Sequence, residues 1–163
     1  MKIRSSLLLA GIEGADLDAR LLALQSLLQQ LLRQFGQPGQ RAGTDIALFL
    51  DGMPLNMRTH AHGQGYADLN FLIPELVGAV EFHKGPYFVR DGDFASAGSV
   101  RIDYLDTVAR NLALTSLGSF GYKRALSIAS APLGEGHLLV AGEAQTYDGP
   151  WDVPDRLAKL NAV

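Results

Sequence analysis

Residues 69–106 read LNFLIPELVGAVEFHKGPYFVRDGDFASAGSVRIDYLD, and the punctuation of this stretch sets the fold. Pro74 follows the apolar Phe71-Leu72-Ile73. It has no backbone donor and its φ is fixed, which suits the first turn of a short helix. Gly78 is the expected stop of that helix. Ala79 to His83 then reads as a strand, and Gly85-Pro86 closes it. The small-residue run Ala95-Ser96-Ala97-Gly98-Ser99 leads into a second strand over Val100 to Leu105. A short helix and small-residue turns between strands give a compact α/β texture.

Upstream, Ile46 to Leu50 is an apolar run of strand length, and Asp51-Gly52 is a strong turn signal. The loop that follows carries THAHGQGY at 59–66. Further upstream the character changes. In residues 15–36, Leu17, Leu21, Leu24, Leu28, Leu31 and Phe35 recur at steps of three and four, which predicts an amphipathic helix. Gly36, Pro38 and Gly39 stop it, and 36–43 reads as a linker. Lys2 and Arg4 ahead of Leu7 to Ala10 have a faint leader-like pattern, but Glu13 and Asp16 stand where a small-residue cleavage site belongs.

Downstream, three segments alternate. In GHLLVAGEAQTYDG, 136–149, Leu138, Val140, Gly142 and Ala144 share one face; Leu139, Ala141, Glu143 and Gln145 share the other. Arg110 to Leu117 and Tyr122 to Ala131 precede it, and a fourth strand is expected only to start after RLAKLNAV, 156–163. Tight turns between them predict an antiparallel meander. Strand lengths match those of membrane barrels, roughly 9–11 residues. The same alternation suits a soluble sandwich.

Composition narrows the chemistry. The chain has 163 residues, 47% of them hydrophobic, which is enough for a real core. It contains no cysteine, so disulfides, thiolate metal sites and thiol catalysis are out. Net charge is −3 with no cluster of Lys or Arg, which excludes nucleic acid as a natural partner. No apolar run reaches the ~18 residues of a spanning helix. The serines lie in no nucleophile-elbow sequence, and no phosphate-binding glycine loop is present. RDGDFASAG at 90–98 lacks the ligand run of a calcium loop.

Taken in order, the pieces resemble the plug domain and opening barrel strands of TonB-dependent outer-membrane receptors. The strand ending in Leu50-Asp51-Gly52, the Ile73-Pro74 helix, the Val80-Glu81-Phe82-His83-Lys84-Gly85-Pro86 strand and the small turn Ser96 to Val100 follow the family's order and spacing. GSFGYKRALSIASAPLG and LLVAGEAQTYDGPW look like barrel strands. The resemblance covers roughly residues 44–163. The early plug strand of the family finds no counterpart, and the Leu/Gln-rich helix stands in its place.

The expected fold is therefore α+β: an N-terminal helix, a small mixed plug-like sheet with short helices, then a C-terminal antiparallel β meander that starts a transmembrane β-barrel. Residues 1–43 form the helix and linker and are not receptor-like, 44–108 a partial plug, and 109–163 the first barrel strands. The resemblance implies a fragment of a receptor that takes up a scarce nutrient, such as a ferric siderophore or cobalamin, with the plug gating the barrel. It implies the outer membrane of a Gram-negative bacterium, TonB, a small-molecule metal chelate and outer-membrane lipid as partners. It implies no cofactor and no catalysis. The alternatives are a small independent binding module, or a non-functional product of a truncated receptor gene.

The candidate ligand residues are Arg58, His60, His62, Gln64 and Tyr66, in a loop that the resemblance places at the plug apex. Hydrogen bonds and charge would serve there. Two imidazoles alone are an incomplete metal site, and further ligands would have to come from Asp68, His83 or elsewhere. No resident metal is expected.

Overall fold

A computed structural model describes residues 4–8 and 45–163. The helix expected within 15–36 and the linker at 36–43 lie outside the described residues. The chain divides into two compact units: one runs to Asn70 and from Pro74 to Tyr104, the other comprises Phe71–Ile73 and Leu105–Val163.

The first unit is a five-stranded mixed sheet. Its strands are β1 (Arg4–Leu8), β2 (Ile46–Leu50), β3 (Met53–Pro54), β4 (Val77–Lys84) and β5 (Gly98–Tyr104), in the spatial order β1-β4-β5-β2-β3. Only β2 and β5 run parallel; the remaining pairs are antiparallel. β5 sits at the centre, so its sequence shows which residues share a face. Val100 and Ile102 pair with Leu48 and Leu50 on one side and with Phe82 and Val80 on the other, giving one continuous apolar face. Ile46, Leu50, Val80, Val100 and Ile102 are buried. The opposite face carries Ala47 and Phe49, clustered with Ala95 and packed by Phe94.

Two sequence expectations change here. The helix at Pro74 is a single 3-10 turn, Pro74–Leu76, and β4 begins at Val77. Gly78 does not stop a helix; it lies inside β4 at the register shift between Val77 and Ala79. Three residues cannot close an α-helical i→i−4 bond, and with Leu76 and Val77 both buried the chain passes directly into the sheet. The other short helix is also one 3-10 turn, Val89–Asp91. The described residues are thus predominantly β rather than α+β. β1, which the sequence reading left unassigned, pairs along β4 from Arg4↔His83 to Leu8↔Ala79.

β5 starts at Gly98 rather than Val100. A side-chain carbon at Gly98 would collide with the His83 carbonyl oxygen, so only glycine lets β5 meet β4 there.

The second unit is the meander β6 (Leu112–Leu117), β7 (Lys123–Leu133), β8 (Gly136–Tyr147) and β9 (Leu157–Ala162), paired in sequence order and all antiparallel. Register puts Ala113, Ser127, Gly142 and Ala162 in one cross-strand row, and Thr115, Ala125, Ala144 and Leu160 in the next. Val140, Leu138 and Leu133 continue the same face along β7 and β8. This face is small or apolar over most of its length, and it is the exposed one: Leu133, Leu138, Val140 and Leu160 all face outward. The opposite face buries Arg124, Leu126, Ile128, Ala141 and Glu143.

Candidate functional site

The loop carrying the candidate ligand residues is fixed at its base by Asn56. Its side-chain oxygen accepts from Leu48 N at 2.7 Å, and its amide nitrogen donates to Ile46 O at 3.0 Å and Gly65 O at 3.2 Å. One side chain thus ties both ends of the loop to the inner strand β2. Immediately outside it, Met57 and Tyr66 form an antiparallel bridge, with Met57 N donating to Tyr66 O and Gly65 N to Met57 O, each at 2.8 Å. Gly63 N donates to His60 O at 2.9 Å and folds the tip. The result is a small closed excursion whose stem is anchored and whose tip is exposed.

Three of the five expected residues meet in that tip. The His60 ring lies on Tyr66 at 4.1 Å between centroids and 11° between planes. The His62 ring stacks on His60 at 5.1 Å and approaches Tyr66 at 5.6 Å. His60 Nδ1 accepts from His62 N at 3.1 Å and stands 3.3 Å from His62 Nδ1. Stacked π-faces hold two heterocycles side by side on an exposed surface. Arg58 and Gln64 are exposed on the same loop, and Tyr66 is half-buried.

The additional ligands considered for a metal do not join them. Asp68 Oδ1 accepts from Asn70 N at 2.8 Å in an Asx turn. His83 is buried on β4, its Nε2 3.0 Å from Glu81 Oε1 and its ring tilted against Phe88 at 4.8 Å. Among the described residues no group of three or more His, Cys, Asp or Glu side chains converges on a metal position.

Two polar clusters escaped sequence reading. In the first unit, Asp91 is buried; it accepts from Ser99 Oγ at 2.7 Å and pairs with Arg101, whose guanidinium also lies over Phe49 at 4.3 Å. Burial pushes the Asp91 carboxyl up, but the Ser99 hydrogen bond and the Arg101 charge outweigh it and hold the group below the usual carboxylate range. In the second unit, Glu143 accepts from Arg124 Nε at 2.6 Å, Lys159 Nζ at 3.0 Å and Asn161 Nδ2 at 2.8 Å. Lys159 also reaches Leu72 O at 3.5 Å. One carboxylate so joins β7, β8 and β9 across the covered face of the meander. The alternation of β8 signals that Glu143 faces away from Leu138 and Val140, but only the register reveals its partners.

No family model matches the chain, and no curated protein matches it. Solved structures do match in fold. The siderophore receptor PirA from Pseudomonas aeruginosa aligns over 90% of this chain and 29% of its own, with 21% identity and a TM-score of 0.53. The ferric enterobactin receptor PfeA, solved in complex with BCV-L6, aligns over 65% of this chain and 17% of its own, with 23% identity and a TM-score of 0.50. The chain spans less than a third of either receptor's length. In fold, a five-stranded mixed sheet followed by a two-faced meander corresponds to a stretch of these receptors, and the resemblance to TonB-dependent receptors read from residues 44–163 holds at the level of structure.

Proposed function

We propose that the chain is part of a TonB-dependent outer-membrane receptor. In this reading residues 44–108 are plug, 109–163 are the opening barrel strands, and the plug gates uptake of a scarce nutrient carried as a metal chelate, such as a ferric siderophore. The observation that carries it is the inverted meander. Its exposed face is small or apolar over most of its length, while its covered face sets the Arg124–Glu143 pair with Lys159 and Asn161 beside Leu126, Ile128 and Ala141. Water selects the opposite arrangement; a lipid exterior with a polar lumen selects this one. The edges β6 and β9 then pair with further strands, because lipid leaves no backbone group to solvent.

Within that reading the loop at 57–66 faces the ligand, with Arg58, His60, His62, Gln64 and Tyr66 as its contacts. Its stem is anchored by Asn56, so it presents a defined surface. The role is transport driven through TonB, with no covalent step. Fractionation of the source cell tests it, using an antibody to residues 44–104. The expected result is an outer-membrane band several times heavier than 17.5 kDa. A soluble band at 17.5 kDa overturns the receptor reading for the native product.

A further inference from the structure

We infer that the outward face of the meander is one complete bilayer-deep band, and that Lys123 at its rim takes the phosphate of a membrane lipid. The inference rests on the receptor reading and fixes where the membrane begins. Register carries the face from the row Leu117, Lys123, Thr146, Ala158 at one end to the pair Leu133, Gly136 at the other. Of all the positions the four strands turn to this face, only Lys123 is charged. A solvated face carries polar residues along its whole length; here the one charge stands in the end row. The depth agrees with the chemistry. β7 runs 11 residues from Lys123 to Leu133. At ~3.4 Å per step that is about 34 Å of strand. Tilted by about 35–45°, it rises about 24–28 Å, which matches the ~25 Å apolar band of a membrane barrel.

A cation on the lipid side costs least at the interface. There a lysine lays its four-carbon stem on apolar surface and reaches the phosphates with its ammonium. Lys123 is exposed and pairs with no carboxylate among the described residues. The chain beyond that row is braced. Asp148 N donates to Phe120 O at 2.9 Å and Asp155 N to Asp148 O at 2.7 Å, which ties the β8–β9 loop to the β6–β7 turn. Trp151 Nε1 donates to Asp155 Oδ2 at 3.1 Å. A side-chain carbon at Gly149 would collide with the indole, so glycine is what lets the ring lie there. Trp151 and Phe120 nevertheless stay 65% and 56% exposed. An indole with its N–H satisfied and its ring open suits the headgroup level, where one side is apolar and the other wet. The loop's acids, Asp148, Asp152 and Asp155, follow the Thr146 row in the chain and fall on the aqueous side of this rim. At the other rim the exposed Glu135 stands in the β7–β8 turn.

The chain has no cysteine, so single cysteines can carry a nitroxide label for depth measurement. Full chains with Thr146→Cys, Ala129→Cys or Glu135→Cys are labelled and added to vesicles of phosphatidylcholine and phosphatidylglycerol. Electron paramagnetic resonance then compares collisions with oxygen, which concentrates in lipid, and with a water-soluble nickel chelate. The expected result is a deep label at 129 and shallow labels at 146 and 135. Trp151, the only tryptophan, should be quenched more by a headgroup-labelled lipid than by one labelled at mid-chain. Lys123→Gln should lower partitioning into these vesicles about fivefold, the contribution of one cation beside an anionic surface. Lys123→Arg should restore it, and added salt should shrink the difference. Circular dichroism checks that each variant keeps its strands. A deep label at 129 with unchanged partitioning of Lys123→Gln overturns the phosphate contact and keeps the receptor reading. A label at 146 as deep as that at 129 overturns the placement of the rim. A label at 129 as open to nickel as that at 146, or a chain that stays in the aqueous phase, overturns the lipid band and the receptor reading with it.

Discussion

The two sheets of this chain both bury apolar residues and an ion pair, but the meander also turns a run of leucine and valine outward. In the five-stranded sheet, Ile46, Leu50, Val80, Val100 and Ile102 are buried. In the meander, Leu117, Leu133, Leu138, Val140 and Leu160 are exposed, whereas Arg124 and Glu143 are buried at 6% and 2% exposure. Both sheets use the same period-two alternation. In the receptor reading proposed above, the face that exposes leucine and valine is the one that meets lipid, which cannot hydrogen-bond.

The largest break in that comparison comes from the ion pair. Glu143→Ala leaves Arg124 and Lys159 without the carboxylate that joins them. Removing one partner of a buried pair costs about 3–5 kcal/mol, because the remaining charge stays desolvated. The expected outcome is loss of most of the folded meander, measured by denaturant titration of the full chain in detergent micelles. Glu143→Gln keeps an acceptor for Asn161 and loses less. A Glu143→Ala variant with unchanged stability means that the covered face is wet and the inversion unimportant.

The exposed face is sharpened by Val140→Arg. A cation on the lipid side of a barrel strand costs about 2–4 kcal/mol at mid-bilayer and little near the interface. On the proposed receptor reading, insertion of the protein into phospholipid vesicles should fall, whereas Glu135→Arg in the β7–β8 turn should have little effect. If Val140→Arg inserts as well as wild type, that face does not meet lipid.

How much of this was legible in the sequence follows from which signals are local. The alternation of Leu138, Val140, Gly142 and Ala144 is local, and it placed Glu143 on the opposite face correctly. The Ile46–Leu50 strand and the Asp51-Gly52 turn are local too, and they match the structure. The turn at Pro74 misled because Pro74 and Gly78 mark a helix start and stop equally well when three residues or ten lie between them. Here only Pro74–Leu76 turns, and Gly78 serves a strand irregularity instead. Glu143 finds Arg124 and Lys159 through strand register, which one strand's sequence does not state. The stack in the loop was partly legible: His60, His62 and Tyr66 were all candidates, but their rings meet only because the Met57–Tyr66 bridge folds the segment back. Asn56 gave no signal, since one asparagine after a turn looks like any other.

Asn56→Ala tests whether the loop owes its order to that side chain. The change leaves the Leu48 N–H and the Ile46 and Gly65 carbonyls without their side-chain partner. Leaving such groups unsatisfied costs about 1–3 kcal/mol. The expected outcome is faster amide exchange at Leu48 and faster proteolysis within 57–66, with the β4–β5 pairing unchanged. If β4 and β5 loosen equally, Asn56 supports the whole sheet and not the loop.

The smallest expected effect is one of pH, and it separates the two buried carboxylates by unit. Asp91 belongs to the water-ordered sheet, and its folded carboxyl is held below the usual range by Ser99 and Arg101 despite burial. A depressed acid binds its proton more weakly folded than unfolded, so its contribution to stability is fully present above the unfolded value of about 3.9. It is lost as pH falls from there through the lower folded value. Asp91→Asn preserves shape and an acceptor but removes the charge, which makes a charge-assisted bond an ordinary one and costs about 1 kcal/mol. The wild-type advantage over Asp91→Asn, measured by denaturant unfolding at stepped pH, should be constant from neutrality to about pH 5 and shrink below about pH 4. The Asp91–Arg101 pair is partly open to solvent, with Arg101 19% exposed, so added salt should also reduce the advantage. A gap that persists unchanged into strong acid would show that the Asp91 carboxylate is not what stabilises β5, leaving shape alone to hold the 3-10 turn against the sheet.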